Sequence, residues 1–422
     1  MRRTVTEHQI AVRELLAHAW FAEGGAAVKN DAGTRVPLTE LTGRVLAADL
    51  VAPLDLPPFA NSQMDGFAIL VEPGKGGPAT SYRAAATIAA GALAPPLKPG
   101  LAAPIMTGAM LPEGANAVVP VEQAMPPSFP AEGESVMLPP TEPGTFVRSQ
   151  GSDLSRGSVA IPAGTVLNAG HVGLASALGC TGLMVRRRPR VLLVTTGDEV
   201  MLPGDPRAAN GLPVGRIFDA NMALLRANLK QAGAEVVLAP VVSDDPAALL
   251  EVLDGYVGPG DAGVDLIVST GGISAGAFEV VKQALDGLEV DFVSVALQPG
   301  GPQALGSYKG VPFIGFPGNP VSGVVSFELF LRPALTALLG APAARHKVTA
   351  ALSHPLSSPA GKYQIRRGIY EGPEYESGAS VREVGGPSSH LLGALAQANA
   401  LIHLPAGVTQ LHQGAKVEVW LL

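Results

Sequence analysis

Cysteine is nearly absent from this sequence. Cys180 is the one thiol in 422 residues, so no intrachain disulfide can form and a reducing compartment is expected. Charged residues are scarce, at 15% against 47% apolar, and the formal net charge of -7 argues against bulk nucleic-acid binding, which needs a basic surface. No uncharged apolar stretch is long enough to cross a bilayer. The opening "MRRTVTEHQIAVRELLAHAW" is amphipathic, with Glu7 and Glu14 inside it. It lacks the apolar core and cleavage site of a signal peptide, so a cytoplasmic protein is expected. The histidines show neither H-x-x-x-H nor Cys/His spacing, which leaves no zinc motif.

Glycine and proline are plentiful, 51 and 38 residues, and with the low charge they indicate a compact chain of many ordered turns. The length implies about two to four domains. The basic run "RRRPR" at Arg186–Arg190 reads as a solvated linker. Before it, the chain reads as short strands and turns with no helical rhythm after the first twenty or so residues. Glu72–Pro78 reads as a loop, and Pro126–Gly144 as an edge strand with turns.

After Pro189 the pattern changes. "RVLLVTTG", "AEVVLAPVV", "DLIVST", "DFVSVAL" and "VPFIGF" read as strands. Between and after them "NMALLRANLKQAG", "DDPAALLEVLDGYV", "FEVVKQAL" and "NPVSGVVSFELFLRPAL" read as helices. Asp219 or Asn221 caps the first helix and Gly233 stops it; Asp245 caps the second with Pro246 in its first turn. Strands alternating with helices predict a doubly wound, mostly parallel α/β sheet. From Arg345 onward the short strands return, and a separate small β domain is expected.

Ligands of open parallel sheets bind beyond the carboxyl ends of the strands. Three such ends carry "TTGDE", "TGGIS" and "GFPGNPVS", joined by "SDD" at Ser243–Asp245. Glycines let backbone amides approach phosphate oxygens, and carboxylates beside a phosphate call for a divalent cation such as Mg²⁺. Asp245 reads as a helix cap and Asp198 as a turn cap, which leaves Glu199 and Asp244 as the metal-ligand candidates. Gly272, Ser274 and Gly276 also spell G-x-S-x-G, the turn that presents a nucleophilic serine in some hydrolases. No H-G-G-type oxyanion segment precedes it, and the later histidines fall in the C-terminal β region, so an anion-wrapping turn is the better reading.

Several long motifs resemble the MoeA family of molybdopterin molybdotransferases, homologous to the C-terminal domain of gephyrin. "PPFANSQMDGFAI", "IMTGAMLPEGANAVVPVE", "GSDLSRG", "TTGDE", "TGGISAG" and "GFPGNPVSGVVSFELFLRPAL" follow in the family's order across nearly the whole chain. The resemblance implies an elongated homodimer of four domains. These are a discontinuous dimer scaffold (1–50 and 146–188), a β-rich lid (51–145), a MogA-like α/β domain (189–340) and a C-terminal β domain (345–422). It implies a reaction of adenylylated molybdopterin with molybdate, assisted by Mg²⁺, that releases AMP. It further implies that Asp65, Thr107, Asp153, Glu199 and Asp244 are functional polar groups and that Pro317, Gly318, Asn319 and Pro320 form a substrate loop with Gly271, Gly272 and Ser274.

Departures from the family pattern cluster at the chemistry. Glu279 stands for an aspartate, grouped with Glu199 and Asp244 as catalytic and metal-binding. "QPGGP" at Gln298–Pro302 lacks the family's lysines, and Ser294 replaces another. Lys362 stands for an arginine while Arg367 is kept, both as substrate-binding, and Gly393 and Ala394 replace paired serines. Each cation lost around a polyanion costs about 1 kcal/mol or more where the site is partly dry. These variants resemble an actinobacterial gephyrin-like branch, so a second expectation is a dimeric scaffold that binds a peptide of a cytoskeletal, cell-division or membrane-receptor partner.

Overall fold

The computed structural model describes residues 2–21, 33–72, 79–239, 241–257, 263–274, 279–372 and 378–422. Gly276 and most of the Glu72–Pro78 loop lie outside them. The chain forms two compact units, one of Met1–Ala47, Gly164–Asn168 and Leu183–Leu422, the other of Ala48–Ala163 and Ala169–Gly182.

The first unit is organised by a seven-stranded sheet. Its strands are β1 (Arg2–Arg3), β2 (Arg190–Thr195), β3 (Glu235–Leu238), β4 (Leu266–Thr270), β5 (Val290–Val295), β6 (Pro302–Tyr308) and β7 (Val311–Phe316). Their spatial order is β1-β5-β6-β7-β4-β2-β3. The pairs β2–β3, β2–β4, β4–β7 and β1–β5 are parallel, and β6 runs antiparallel to both neighbours. β6 was not expected from the sequence: its "PQALGSY" carries Pro302 and Gly306, residues depleted in strand interiors.

Both faces of the sheet are buried, which explains its continuous apolar strands. Val191 and Leu193 of β2 join one core cluster while Leu192 and Val194 join the other. The first cluster is covered by α1 (Val5–Phe21) and α3 (Asn221–Gln231), the second by α4 (Pro246–Asp254) and α5 (Val280–Ala284). Each Leu, Val or Phe buried this way contributes about 1.5–3 kcal/mol. The Asp245 side chain accepts from Ala247 N–H, and Gly233 with φ 82° follows α3, as expected. At α3 it is Asp219 that accepts the Met222 N–H; the Asn221 side chain reaches Gly318 instead.

A helical stretch of 20 residues closes the α/β sheet: α6 (Pro320–Ser326), a π-helical turn Phe327–Leu331 and α7 (Arg332–Leu339). By length and composition it matches a membrane span, but 78% of its apolar 18-residue window is buried and the stretch carries Glu328 and Arg332. It is a core helix. The "RRRPR" run is not a loose linker either. Arg187 holds Asp265 through two contacts of 2.6 Å, and Arg190 opens β2.

The C-terminal region is a closed β structure. Strands Tyr363–Glu371, Ser380–Glu383, Lys347–Leu352, Lys416–Leu421 and Ala400–Leu404 pair in a ring that returns to Tyr363–Glu371. It is less separate than expected. Leu297–Gln298, just after β5, pairs in parallel with Tyr363–Gln364, and Tyr363 N–H donates to Ala296 O at 2.8 Å.

The second unit has a five-stranded sheet in the order Ala117–Pro120, Gly66–Ile69, Leu101–Ile105, Thr80–Ala84 and Ser135–Leu138. The edge strand expected within Pro126–Gly144 is the last of these. Helix α2 (Ala169–Ala177) corrects the reading of this half as free of helix after the N-terminus. Its "AGHVGLASA" is rich in small residues, so it carries little apolar periodicity.

One packing detail generates a test. His8 of α1 is fully buried, sets its ring edge-on to Phe330 at 4.6 Å and has no partner for either ring nitrogen. Burial drops its pKa from 6.5 to about 4. Above the ordinary value both states are neutral. As pH falls toward the lowered one, the unfolded chain takes up a proton that the folded chain refuses, so stability falls by about 2–3 kcal/mol across that window. His8→Leu should therefore flatten the pH dependence of the urea midpoint between about pH 7 and about pH 5. An unchanged slope would remove His8 as the cause.

Candidate functional site

Beyond the carboxyl ends of β2, β4 and β7 the first unit opens a cavity of about 1230 Å³. Its walls come from the turns that follow these strands, the start of α6, the segment Ser294–Pro302 and residues Lys362 and Pro387–His390 of the C-terminal region. Nearly every glycine-rich segment singled out in this half of the sequence converges here.

Close backbone approach holds the walls together. A Cβ on Gly318 would stand 3.3 Å from Gly271 Cα, and one on Gly271 would stand 3.1 Å from both Thr196 O and Thr196 Oγ1. Gly271 and Gly272 have φ of 93° and 63°, conformations that favour glycine. Gly271 N–H donates to Phe316 O, Thr270 Oγ1 donates to Pro317 O, and Asn221 Nδ2 donates to Gly318 O at 2.6 Å. The loop Pro317–Gly318–Asn319–Pro320 is thus fastened to the Gly271–Gly272 turn, and Pro320 opens α6 at the cavity wall. Because Gly271 N–H is taken by Phe316, it is not among the amides offered to an anion, contrary to the expectation for this turn.

The carboxylates differ in their duties. Asp198 and Asp244 exchange contacts, each N–H donating to the other's side chain at 3.2 Å, and this pins the turn after β2 to the turn before α4. Glu199 folds back over Gly197, where an added Cβ would meet its Oε2 at 2.7 Å. Glu279 Oε2 accepts the Ser274 N–H at 2.7 Å and closes the glycine turn. Glu199, Asp244 and Glu279 all line the cavity. Among the described residues, however, no three His, Cys, Asp or Glu side chains group closely enough to hold a metal ion, so the expected three-carboxylate site is not formed by protein atoms alone. Ser274 also lines the cavity, as does His390, and no hydrogen bond joins them among the described residues.

The floor shows what sequence reasoning passed over. Thr195 Oγ1, Thr196 Oγ1, Asp219 Oδ2 and Asn221 Oδ1 are buried, line the cavity and have no protein partner. Buried polar atoms are rarely left unpaired, which makes this row unusual for a folded interior. The threonines stand in the quoted "TTGDE", and Asp219 was read solely as a cap. Hydroxyls at the end of a buried parallel strand were the available signal. The donor set suits a hard cation in kind: Mg²⁺ uses one or two protein carboxylates and fills the rest of its shell with water and substrate oxygens, so Glu199 and Asp244 are compatible with it.

Two cationic candidates separate. Lys362 lines the cavity. Arg367 does not: it is 1% exposed, donates through Nη2 to Gly386 O and has Nε and Nη1 unpartnered. It braces the turn leading into Pro387–His390 from inside the fold. Arg2 lines the cavity and was not foreseen, since nothing in "MRRTV" links it to motifs far along the chain. Asp65, Thr107 and Asp153 belong to the second unit. There Thr107 donates both N–H and Oγ1 to Asp65 Oδ1 at 2.6 Å, which lowers the Asp65 pKa, while Asp153 is exposed and donates its N–H to Leu56 O.

Comparison with known proteins places this geometry among relatives. Residues 4–179 match the MoeA N-terminal region (domain I and II), 192–337 a probable molybdopterin binding domain and 349–422 the MoeA C-terminal region (domain IV). Molybdopterin molybdenumtransferase 2 of Mycobacterium tuberculosis is 39% identical over 431 residues, covering 99% of each chain. Molybdopterin molybdenumtransferase of Nostoc sp. is 34% identical over 91% of this chain and 87% of its own. The crystal structure of the molybdopterin biosynthesis moeA protein of Pyrococcus horikoshii superposes over the full length of both chains, with a TM-score of 0.78 and 25% identity.

Gly197 offers a direct check of the wall. Its φ of 133° is one that side chains rarely adopt, and an added methyl group would also push the Glu199 carboxylate aside. Gly197→Ala should destabilise the protein by about 1–3 kcal/mol in thermal or urea unfolding, and Glu199→Ala in the same chain should recover part of that loss. Strictly additive losses would show that the two residues do not press on each other.

Proposed function

The chain belongs to the MoeA family of molybdopterin molybdenumtransferases, and from that premise we propose that it inserts molybdate into adenylylated molybdopterin and releases AMP. The observation that carries this reading is the convergence of the glycine turns and the Pro317–Pro320 loop on one cavity at the strand ends. That arrangement suits a phosphorylated ligand lying across a sheet edge.

Within the reading each wall has a task. The fastened turns at Gly271–Gly272 and Pro317–Pro320 fix the shape into which the pterin nucleotide fits, so the reacting phosphate is oriented before it reacts. Glu199 and Asp244 would hold Mg²⁺ together with water and substrate oxygens, and the ion would supply neutralising charge to the pyrophosphate link. Glu279 keeps the Ser274 turn closed; Ser274 shapes the pocket and is not a nucleophile. Lys362 faces the anionic end of the substrate. Asp65, Thr107 and Asp153 enter on the family resemblance alone, and the two donors from Thr107 keep Asp65 ionised. The same resemblance brings a cytoplasmic homodimer and the four-domain division expected from the motifs.

The test is chemical. Purified protein given adenylylated molybdopterin, molybdate and Mg²⁺ should release AMP, followed by chromatography, and a chelator should stop it. Asp244→Ala or Glu199→Ala should lower the rate by about 100-fold, the loss typical of a group that stabilises developing charge. Absence of AMP above the uncatalysed background would overturn the proposal.

A further inference from the structure

We infer that Arg2 binds the anionic part of the substrate and supplies, from the first strand of the chain, positive charge that the neighbouring strand does not carry. The inference rests on the function proposed above and identifies one of its binding residues. Four carboxylates line the cavity, Glu199, Asp219, Asp244 and Glu279. Against them, among the described lining residues, the permanently charged cations are Arg2 and Lys362. A phosphate-bearing ligand meets a wall that repels it unless these two and a metal ion offset the excess.

The fold fixes where Arg2 stands. β1 pairs in parallel with β5 in the register Arg2 with Ser294 and Arg3 with Val295. Ala296 N–H donates to Arg3 O at 2.7 Å, and Arg3 Nη2 lies 3.5 Å from Asp291 Oδ2. Register partners project to the same face of a sheet. Val295, fully buried, belongs to the core, whereas Arg2 and Ser294 both line the cavity. Ser294 and Gln298, next along that wall, are uncharged. Arg2 is therefore the cation of this stretch, placed on a neighbouring strand directly beside residue 294. Its guanidinium can grip a phosphate or oxyanion through two parallel N–H donors.

Calorimetric titration of the full chain with inorganic pyrophosphate in the presence of Mg²⁺ tests this without relying on turnover. Arg2→Gln should weaken binding about tenfold and flatten its salt dependence, while Arg3→Gln should stay within about twofold of the unmodified protein. Arg2→Lys, or Ser294→Lys added to Arg2→Gln, should restore most of the affinity, because either puts a cation back on the same face. Equal binding by Arg2→Gln and the unmodified chain would overturn the inference and leave the proposed function standing. Weakening that neither lysine repairs would assign the loss to strand packing and overturn it as well. No pyrophosphate binding by the unmodified chain would count against both.

Discussion

The contact between the Gly271 and Gly318 backbones is the constraint on which the site depends. Two strand-end turns can pack this closely because neither carries a side chain at that point: a Cβ on Gly318 would stand 3.3 Å from Gly271 Cα. Through that contact β4 and β7 end in one wall instead of two loose loops, and Asn221 ties α3 to the same place through Gly318 O. Shape is thereby set by backbone, which moves little, leaving side chains free to carry charge and donors. A methyl group on Gly318 would press on the Gly271 backbone, and one on Gly271 would press on Thr196.

The electrostatics of the cavity follow from that division of labour. Two carboxylates are occupied with architecture: Glu279 with the Ser274 amide and Asp244 with the turn after β2. They are negative walls as much as ligands. The Gln298–Pro302 wall carries no lysine, so the positive charge of the cavity rests on few groups. Arg367, kept from the family motif, contributes from within the fold, where burial holds its pKa below the ordinary value and its contact with Gly386 O steadies a cavity-lining segment.

Much of this was legible in the sequence, and the misses have physical causes. The parallel strands and the caps at Asp245 and Gly233 were readable because continuous apolar runs and turn residues are local signals. β6 was missed because an antiparallel strand with proline and glycine is stabilised by two neighbours and not by its own propensity. Helix α2 escaped because small residues leave no apolar stripe. At the site, Glu199, Asp244, Glu279, Ser274 and Lys362 were brought into one cavity as their motifs suggested, yet Arg367 turned inward. Thr195, Thr196, Asp219 and Asn221 became visible through their unpartnered atoms, a property of burial that no motif encodes.

The C-terminal strands close into a ring, whereas the α/β sheet ends in the two residues of β1 on one side and the four of β3 on the other. A ring has no unpaired edge to act as a template for a foreign strand. Strand addition is therefore closed to the five strands of the ring. Whatever associates with the ring must recognise its side-chain relief, and edge pairing is left to strands outside it, among them Leu356–Ser357 with Gln410–Leu411 and the margins of the open sheets.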